Sequence, residues 1–421
     1  KQPPESWLRR GSSPYICMAA RKAAAAAAVA VPAPPPRLFR QAGSSVRGVI
    51  TAIDCHCGGL PARVVVGGAP PIPSEHATSA DAIRLYLMEN KDWLRALMLT
   101  EPRGYPCQNL DIVFPATPAC PEAAYSYVIA ENHPCYPAMS GHNTICVATA
   151  LLESGMVPMV EPKTDFVLEA PAGPIRIRAT CSGGKAEHIT FTNAPAFALP
   201  QHLGLQTRVP KGPLGTVTVD IAYGGMWYAI VDETAVGLQV QLADAADLVR
   251  VGEMIKVATA QQHPVAHPTL RDAGWNIAIR GPPRAGGSAS NAVIMSTGHL
   301  DWERPGTWTG NIDRSPCGTG TSAVMAMLHA KGLLAIGEEF RHEGILGTIF
   351  TGRLVEETTL QSAGGEAIAA VVPEISGSAW ITQYSQVVVD PTDPFRCGYT
   401  VGDIWAGSRV TPNDHTSMAL F

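Results

Sequence analysis

Residues 140–158 read "SGHNTICVATALLESGMVP" and residues 317–335 read "CGTGTSAVMAMLHAKGLLA". The two stretches align without a gap, and identical residues occur at Gly141/Gly318, Thr144/Thr321, Val147/Val324, Leu151/Leu328 and Gly155/Gly332. Each begins with a small polar or thiol residue and a glycine, and continues as a helix that is apolar nearly all round. Each ends at a glycine that suits a C-cap. The pair predicts an internal repeat with one buried helix in each copy.

A second pair of stretches supports the repeat. Residues 56–66 ("HCGGLPARVVV") and 222–232 ("AYGGMWYAIVD") each place Gly-Gly before a strand-like run, upstream of the respective helix. After residue 47 the chain consists mainly of short apolar or alternating runs punctuated by Gly and Pro, which is typical of strands. The few helical segments lie at 79–99, 143–155, 245–263 and 320–332. We predict an α+β fold of two pseudo-symmetric halves, each a curved sheet around a central buried helix.

The composition is that of a globular protein with a sizeable core. Of 421 residues, 46% are hydrophobic and 16% are charged, and the formal net charge is -5. This charge, without a basic stripe interleaved with aromatic residues, argues against a nucleic-acid partner. No apolar stretch reaches the roughly 18 residues of a membrane span, so we expect no membrane partner. The 10 cysteines are scattered over a long chain, which favours free thiols in a reducing, cytoplasmic compartment.

The first 47 residues differ from the rest of the chain. They contain one acidic residue, Glu5, against eight Lys and Arg, and they are rich in Ala and Pro. Such a segment is either a disordered extension or an organelle-targeting sequence. We place the N-terminal α/β half at 48–195 and the C-terminal half at 196–385, and we expect residues 386–421 to return to the first half.

The starts of the two predicted helices suggest a site for a small anion. Helix N-termini present free N–H groups and the positive end of the helix dipole, and a following glycine keeps that backbone accessible. Two such ends that face each other would hold a carboxylate, with Ser140 and Cys317 on opposite walls. A thiol at a helix N-terminus has a lowered pKa and acts as a base or a nucleophile. This arrangement suits removal of a proton from the carbon next to the carboxylate.

The residues around both helix starts resemble the two active-site signatures of the proline racemase family. "MSGHNT" (139–144) is similar to the first signature, and "DRSPCGTGTSA" (313–323) is similar to the second. Further segments resemble the family in the same order, at 57–65, 101–104, 220–232 and 401–407. The resemblance implies the fold of diaminopimelate epimerase, in which each of two pseudo-symmetric halves is a mixed β-barrel around a central helix. It also implies catalysis without a metal or another cofactor.

Ser140 departs from the family pattern. Racemases and epimerases of the family carry cysteine at both signature positions, one to take the α-proton and one to return a proton from the opposite face. A serine hydroxyl is a much weaker acid than a thiol, so efficient inversion by Ser140 and Cys317 is not expected.

The departure favours a different reaction of the same family. In trans-3-hydroxy-L-proline the 3-hydroxyl and the C2 hydrogen lie on one face, so one group on that face is sufficient for dehydration. Dehydratases of the family depart from the Cys–Cys pair at one position. The resemblance therefore favours a trans-3-hydroxy-L-proline dehydratase, with a 4-hydroxyproline 2-epimerase or a proline racemase as the alternative.

The resemblance also implies roles for individual residues. Ser140 occupies the family's proton-acceptor position, and Cys317 is the opposing acid or base. The residues that hold the substrate carboxylate are Gly141, His142, Gly318 and Thr319. Asp313 and His142 approach the ring nitrogen, and Asp313 keeps the amine protonated, which acidifies the α-proton. The implied partner is a small-molecule substrate, hydroxyproline or proline, and a homodimer stays open as an alternative to a monomer.

Structural interpretations of the same residues remain open. Ser140 is a preferred N-cap residue, where replacement by alanine costs about 1 kcal/mol. Cys317 alone would be a buried, inert thiol, His142 a turn residue, and Asp313 the cap of the turn that follows it.

Two other chemistries are less well supported. Cys55, His56 and Cys57 invite a metal site, but neither a second CxxC nor a spaced His pair accompanies them. A thiol hydrolase built on Cys317 needs an oriented histidine and an oxyanion hole, for which the sequence offers no separate motif.

Overall fold

The computed structural model describes residues 48–132, 135–270, 273–296, 299–362, 364–402 and 404–405. Residues 1–47, for which the sequence predicts a disordered or targeting extension, lie outside these ranges, as do residues 406–421. Among the described helices, none is both long enough and apolar enough to cross a bilayer.

Strands dominate the described part of the chain. They are β1 (Gly48–Cys57), β2 (Leu60–Gly67), β3 (Asn109–Phe114), β4 (Tyr125–Ala130), β5 (Lys163–Ala170), β6 (Gly173–Ser182), β7 (Lys185–Thr192), β8 (Leu205–Arg208), β9 (Thr216–Tyr223), β10 (Trp227–Asp232), β11 (Trp275–Gly281), β12 (Ala289–Ser296), β13 (Gly310–Ile312), β14 (Glu339–Glu343), β15 (Ile349–Gln361), β16 (Ala367–Gly377) and β17 (Ala379–Val389). The helices are α1 (Ala80–Asn90), α2 (Trp93–Leu99), α3 (Gly141–Glu153), α4 (Glu233–Val236), α5 (Ala245–Gln262) and α6 (Gly318–Ala330). Short 3₁₀ turns lie at Pro200–His202, Leu242–Asp244 and Pro305–Thr307.

The strand pairings repeat in the two halves of the chain. Strands β1 to β7 pair in sequence order, and successive pairs are antiparallel, parallel, antiparallel, parallel, antiparallel and antiparallel. Strands β9, β10, β11, β12, β14, β15 and β16 pair in that order with the same succession of directions. In each set the central helix, α3 or α6, lies between the fourth and fifth strands. This repeat confirms the predicted α+β fold of two pseudo-symmetric halves.

Each curved sheet surrounds one helix. Helix α3 contacts β1, β2 and β7, whereas α6 contacts β9, β15 and β16. Every residue of α3 up to Leu152 and of α6 up to Leu328 is buried. Both helices are apolar nearly all round, so neither has a face suited to solvent. Val147, Leu151 and Val324 belong to one core cluster that both halves share, which fixes the two helices inside the molecule.

Two strand pairings connect the halves. Strand β7 pairs antiparallel with β16. The last strand, β17, pairs antiparallel with β1 from one end to the other. After β17, the N–H of Tyr399 donates to the carbonyl of Glu101 at 2.9 Å, and Trp405 Nε1 donates to Glu101 Oε2 at 2.8 Å. The boundaries that the sequence analysis placed at residues 195 and 385 stay predictions.

A helical layer covers the outer face of each sheet. Helices α1 and α2 supply Leu87 and Trp93 to a core with β1 and β3, and α5 supplies Ile255 to a core with β11 and β12. The helical segment predicted at 79–99 is two helices, because the backbone of Lys91 leaves the helical region, with a φ of -136°. These outer layers leave the sheet interiors to α3 and α6.

Candidate active site

The N-termini of α3 and α6 meet at two glycines. A Cβ atom added to Gly141 would lie 2.6 Å from Gly318 Cα, and one added to Gly318 would lie 2.6 Å from Gly141 Cα. The ring of Phe191 closes one side, 2.9 Å from the Cβ position at Gly141. The absent side chains therefore let the two helix ends abut, a reason for these glycines that the sequence analysis did not give. The preceding residues, Ser140 and Cys317, start from these adjoining ends.

Ser140 holds the N-cap position of α3, but its side chain does not cap the helix. The backbone is extended, with φ -148° and ψ 124°, and the hydroxyl bonds no amide of the first turn. Instead, Oγ lies 3.2 Å from His142 Nδ1 and accepts a hydrogen bond from Asn143 Nδ2 at 3.1 Å. The interpretation of the Ser140 side chain as an N-cap is therefore wrong, because its oxygen is engaged by side chains.

His142 connects Ser140 to the first residue of β3. Its Nε2 lies 3.0 Å from Asn109 Nδ2, while its Nδ1 faces Ser140 Oγ. Burial lowers the pKa of His142 to about 3, so the ring is neutral near pH 7 and carries one N–H hydrogen. The predicted approach of His142 to a substrate nitrogen stays a prediction, since both ring nitrogens face protein groups here.

Cys317, the N-cap residue of α6, has a strained backbone. Its φ of 63° and ψ of 106° lie where L-residues are rarely found, and no other non-glycine residue of the described chain has a positive φ. Its Sγ accepts a hydrogen bond from the N–H of Gly320 at 3.3 Å, which is the capping contact that Ser140 lacks. Strain of this kind is concentrated at functional sites. A cysteine that only fills space in the core would not require this strained backbone.

Tyr228 and Thr319 complete the surroundings of the thiol. Tyr228 Oη lies 3.2 Å from Cys317 Sγ and 2.7 Å from Thr319 Oγ1. Burial raises the pKa of Cys317 well above that of an ordinary thiol, and the charge of Asp313 raises it further. Hydrogen bonds with Tyr228, Gly320 and Thr319 lower the pKa and only partly offset the rise. The lowered thiol pKa expected from the helix N-terminus is thus outweighed by burial.

Asp313 lies in the turn between β13 and α6. Its Oδ1 accepts a hydrogen bond from the N–H of Ser315 at 2.7 Å, so the turn-capping role considered from the sequence is present. Burial raises the pKa of Asp313 to about 6, and the hydrogen bonds with Ser315 limit that rise. A nearby cation would favour the charged form of this buried carboxyl group, so the site suits a protonated amine.

The predicted site residues come together on two helix starts and one turn. They are Ser140, Gly141 and His142 at the start of α3, Cys317, Gly318 and Thr319 at the start of α6, and Asp313 before α6. Asn109, Asn143 and Tyr228 also contact these residues and were not predicted from the sequence. Asn143 and Tyr228 lie inside stretches that the sequence analysis singled out, 139–144 and 222–232, so a signal was present. Asn109 carries no motif, and only the fold brings it to His142.

The stretch considered for a metal lies in β1, where successive side chains alternate between faces. Cys55 and Cys57 are buried in the core, whereas the ring of His56 stacks on that of Trp380 with 5.3 Å between centroids. Across the described residues, no three His, Cys, Asp or Glu side chains are grouped so that they could hold a metal ion. Cys55 and Cys57 thus pack in the core, and His56 packs against Trp380.

The side chains of Ser140 and Cys317 are both buried. Ser140 is 7% exposed and Cys317 is 6% exposed. A cavity of about 810 Å³ has Met226, Trp227 and Asn276 in its wall, but neither Ser140 nor Cys317. Burial of this kind strengthens the electrostatic contacts that surround both side chains.

Known proteins are similar to this chain in sequence and in fold. The sequence profile described as "Proline racemase" matches residues 52–400. A proline racemase from Clostridioides difficile is 38% identical over 353 residues, which cover 83% of this chain and 97% of the relative. A 4-hydroxyproline 2-epimerase from Streptosporangium roseum is 40% identical over 351 residues, covering 83% of this chain and 98% of the relative.

A solved structure agrees with these relatives. The crystal structure of a hydroxyproline epimerase from Agrobacterium vitis, with bound trans-4-hydroxy-L-proline, is 33% identical in sequence and superposes with a TM-score of 0.74. The match covers 86% of this chain and 98% of that one. Together with the repeated sheets and the two abutting helix starts, these similarities show that the chain belongs to the proline racemase family.

Proposed function

We propose that the chain catalyses the dehydration of trans-3-hydroxy-L-proline to Δ1-pyrroline-2-carboxylate. The observation that carries this proposal is the pairing of Ser140 with Cys317 at two abutting helix N-termini. A serine in this position is poorly suited to the second proton transfer of an inversion, whereas a dehydration needs one competent face. The relatives support the coarser part of the proposal, which is proton removal at the α-carbon of a proline-type substrate.

The substrate carboxylate is expected between the two helix starts. Backbone amides at Gly141, His142, Gly318 and Thr319 point from helix N-termini, where partial positive charge stabilises an anion. The ring ammonium is expected at Asp313, whose buried carboxyl group gains from a positive neighbour. Both contacts stabilise the negative charge that develops when the C2 proton leaves.

The chemical balance of the dehydration is simple. The C2–H bond breaks and its electron pair forms the C2–C3 double bond, while the 3-hydroxyl leaves and takes up a proton as water. The resulting enamine gains a proton at C3 and loses one at nitrogen to become the imine. Both protons of the elimination move on the one face that carries the C2 hydrogen and the 3-hydroxyl, so a single group on that face, Ser140 or Cys317, is sufficient to take the first and deliver the second.

Inversion at C2 is the second candidate. The names of the relatives, a proline racemase and a 4-hydroxyproline 2-epimerase, favour it. Inversion requires a second group that readily gives and takes a proton. The Ser140 hydroxyl meets this requirement poorly, because it is a weaker acid than the cysteine of the family pattern. We therefore expect inversion as a side activity of the same site.

Substitution of Ser140 tests the proposal. Ser140→Ala should abolish imine formation from trans-3-hydroxy-L-proline, measured by ¹H NMR and by trapping of the imine with an amine reagent. Ser140→Cys should raise the rate of inversion of trans-4-hydroxy-L-proline, followed by optical rotation. Full dehydration by the alanine variant would show that Ser140 has no chemical role, and an unchanged inversion rate in the cysteine variant would oppose the two-group argument.

A further inference from the structure

Asn109, His142 and Ser140 form a chain of side-chain contacts, and Asn143 also contacts the Ser140 hydroxyl. Asn109 Nδ2 lies 3.0 Å from His142 Nε2, and His142 Nδ1 lies 3.2 Å from Ser140 Oγ. Asn143 Nδ2 donates to the same Oγ at 3.1 Å. All four residues are buried, so water does not compete for these contacts.

The orientation of the Asn109 amide determines which nitrogen of His142 carries hydrogen. An amide Nδ2 has donor hydrogens only, so the ring nitrogen that faces it, Nε2, must accept. A neutral imidazole then has its single hydrogen on Nδ1, directed at Ser140 Oγ. Ser140 Oγ consequently receives two N–H donors, one from His142 and one from Asn143.

Two donors on one hydroxyl oxygen change its chemistry. Whether Ser140 gives or takes a proton, its alkoxide is one of the two states between which it moves. Hydrogen bonds to a charged oxygen are shorter and stronger than those to a neutral one, so the donors favour the alkoxide over the hydroxyl. The arrangement therefore answers the weakness of a serine hydroxyl in proton transfer.

We infer that Asn109 and Asn143 are positioning residues for the proton transfer at Ser140: Asn109 fixes His142 with its hydrogen on Nδ1, and the Nδ1–H and the Asn143 amide together stabilise the Ser140 alkoxide. The inference rests on the proposed role of Ser140. It adds that Asn109 acts through His142 without touching the substrate, from a strand that the sequence motifs do not include.

A tautomer measurement tests the first part. Asn109→Asp places an acceptor opposite Nε2, which draws the ring hydrogen to Nε2 and leaves Nδ1 without one. In protein labelled with ¹⁵N-histidine, the His142 signals, identified by their loss in His142→Gln, should show Nδ1–H in the wild type and Nε2–H in Asn109→Asp. An Nε2–H form in the wild type, or the same tautomer in both proteins, would overturn the inference.

A double-mutant cycle with Ser140→Cys tests the second part. A thiol is acidic enough to need little help, so Asn109→Asp should lower kcat by about 10- to 100-fold with Ser140 present and by less than about 3-fold with Cys at 140, with KM nearly constant. A purely structural role for Asn109 would give equal factors in the two backgrounds. Asn143→Ala should behave in the same way as Asn109→Asp.

Asn132 provides a matched control. It is a buried asparagine whose Nδ2 donates to the carbonyls of Tyr105 and Gln108, without a contact to His142. Asn132→Ala should leave the His142 tautomer unchanged. It should lower kcat by the same factor whether position 140 is serine or cysteine. A larger loss with Ser140 than with cysteine in this control would count against the inference.

The rate to follow is exchange of the C2 hydrogen of trans-4-hydroxy-L-proline with D₂O. This exchange is common to dehydration and inversion, so it reports on Ser140 whichever reaction predominates. If the wild type exchanges this hydrogen but forms no imine from trans-3-hydroxy-L-proline, the proposed substrate is wrong while the cycle still decides the role of Asn109.

Discussion

At the residue scale, the strained backbone of Cys317 distinguishes it from an ordinary buried thiol. A positive φ costs a side-chain-bearing residue about 1–3 kcal/mol, whereas glycine adopts it freely. The site thus holds its thiol in a conformation that weakens the fold locally. Ser140, the residue in the same position of the other half, has an ordinary extended backbone.

Paired substitutions make this strain measurable. Cys317→Gly should unfold with a free energy about 1 kcal/mol higher than Cys317→Ala, because only alanine keeps the strained φ. Both variants should lose dehydration activity. At Ser140 the order should reverse, with the alanine variant the more stable, since glycine adds chain entropy there without relieving strain. Urea unfolding of the four variants gives the comparison. A higher free energy of unfolding for the alanine variant than for the glycine variant at both positions would contradict the account.

Asp111 is a second residue that destabilises the fold, because its carboxyl group is buried. It is fully buried on β3, and in the described part of the chain neither carboxylate oxygen has a hydrogen-bond partner. Burial raises its pKa well above the usual value for aspartate. A raised folded-state pKa means that the group favours folding below its unfolded pKa of about 4 and that this contribution is lost as pH rises.

Replacement of Asp111 by asparagine tests this pH dependence of stability. Asn cannot ionise, so the melting temperature of Asp111→Asn should rise relative to the wild type as pH increases from about 4 to about 8. Asp165→Asn, which removes an exposed aspartate from β5, is the control and should not reproduce the trend. A difference between Asp111→Asn and wild type that stays constant with pH would show that Asp111 is charged in the folded protein.

The limits of sequence reasoning are visible among the residues of the site. Ser140, His142, Asp313 and Cys317 could be selected because each lies in a local motif. Asn109 could not, because its link to His142 spans 33 positions and depends on how β3 passes the start of α3. The cap at Ser140 was misjudged because two neighbouring side chains compete for its hydroxyl.

At the scale of elements, the contact between α3 and α6 determines the site. The sequence predicted both helices and their glycines, since the buried pattern and the glycine positions are local. Their abutment was not visible in the sequence, because it depends on the absence of side chains in two segments far apart in the chain. The split between α1 and α2 was also missed, because their apolar pattern continues across Lys91.

Gly141→Ala tests the importance of this contact. Its Cβ would lie 2.6 Å from Gly318 Cα, so the helix ends must separate. Overpacking of this kind costs about 1–3 kcal/mol, and a displacement of the reacting groups by about 1 Å lowers kcat about 100-fold. Melting temperature and imine formation measure the two effects.

Gly306 provides the control for this substitution. It has open space around its Cβ position, so Gly306→Ala should leave stability and rate nearly unchanged. Wild-type activity in Gly141→Ala would contradict the requirement for close contact between the helix ends.

At the scale of the whole molecule, the repeat explains the architecture and β17 closes it. The division into two similar halves, each with a central helix, was predictable from the repeated helix and Gly-Gly motifs. A return of residues 386–421 to the first half was expected, but the pairing of β17 from Ala379 onward with the full length of β1 was not, because strand pairing over more than 300 positions leaves no local signal. That strand covers an edge of β1 that would otherwise be open.

Truncation tests the closure. A chain that ends at Gly377 lacks β17 and should lose cooperative thermal unfolding and aggregate through the exposed β1 edge. A chain that ends at Trp405 keeps every described element and is the control. Circular dichroism melts and size-exclusion chromatography compare them, and equal melting temperatures would show that β17 is dispensable.

The central claim is that the Ser–Cys pair favours dehydration over inversion. The most direct test is a competition in D₂O between equal concentrations of trans-3-hydroxy-L-proline and trans-4-hydroxy-L-proline, followed in one ¹H NMR sample, which reports the ratio of the two kcat/KM values. We predict that the 3-hydroxy substrate disappears first, with appearance of Δ1-pyrroline-2-carboxylate. Accumulation of the C2 epimer of the 4-hydroxy substrate, while the 3-hydroxy substrate persists, would contradict the account.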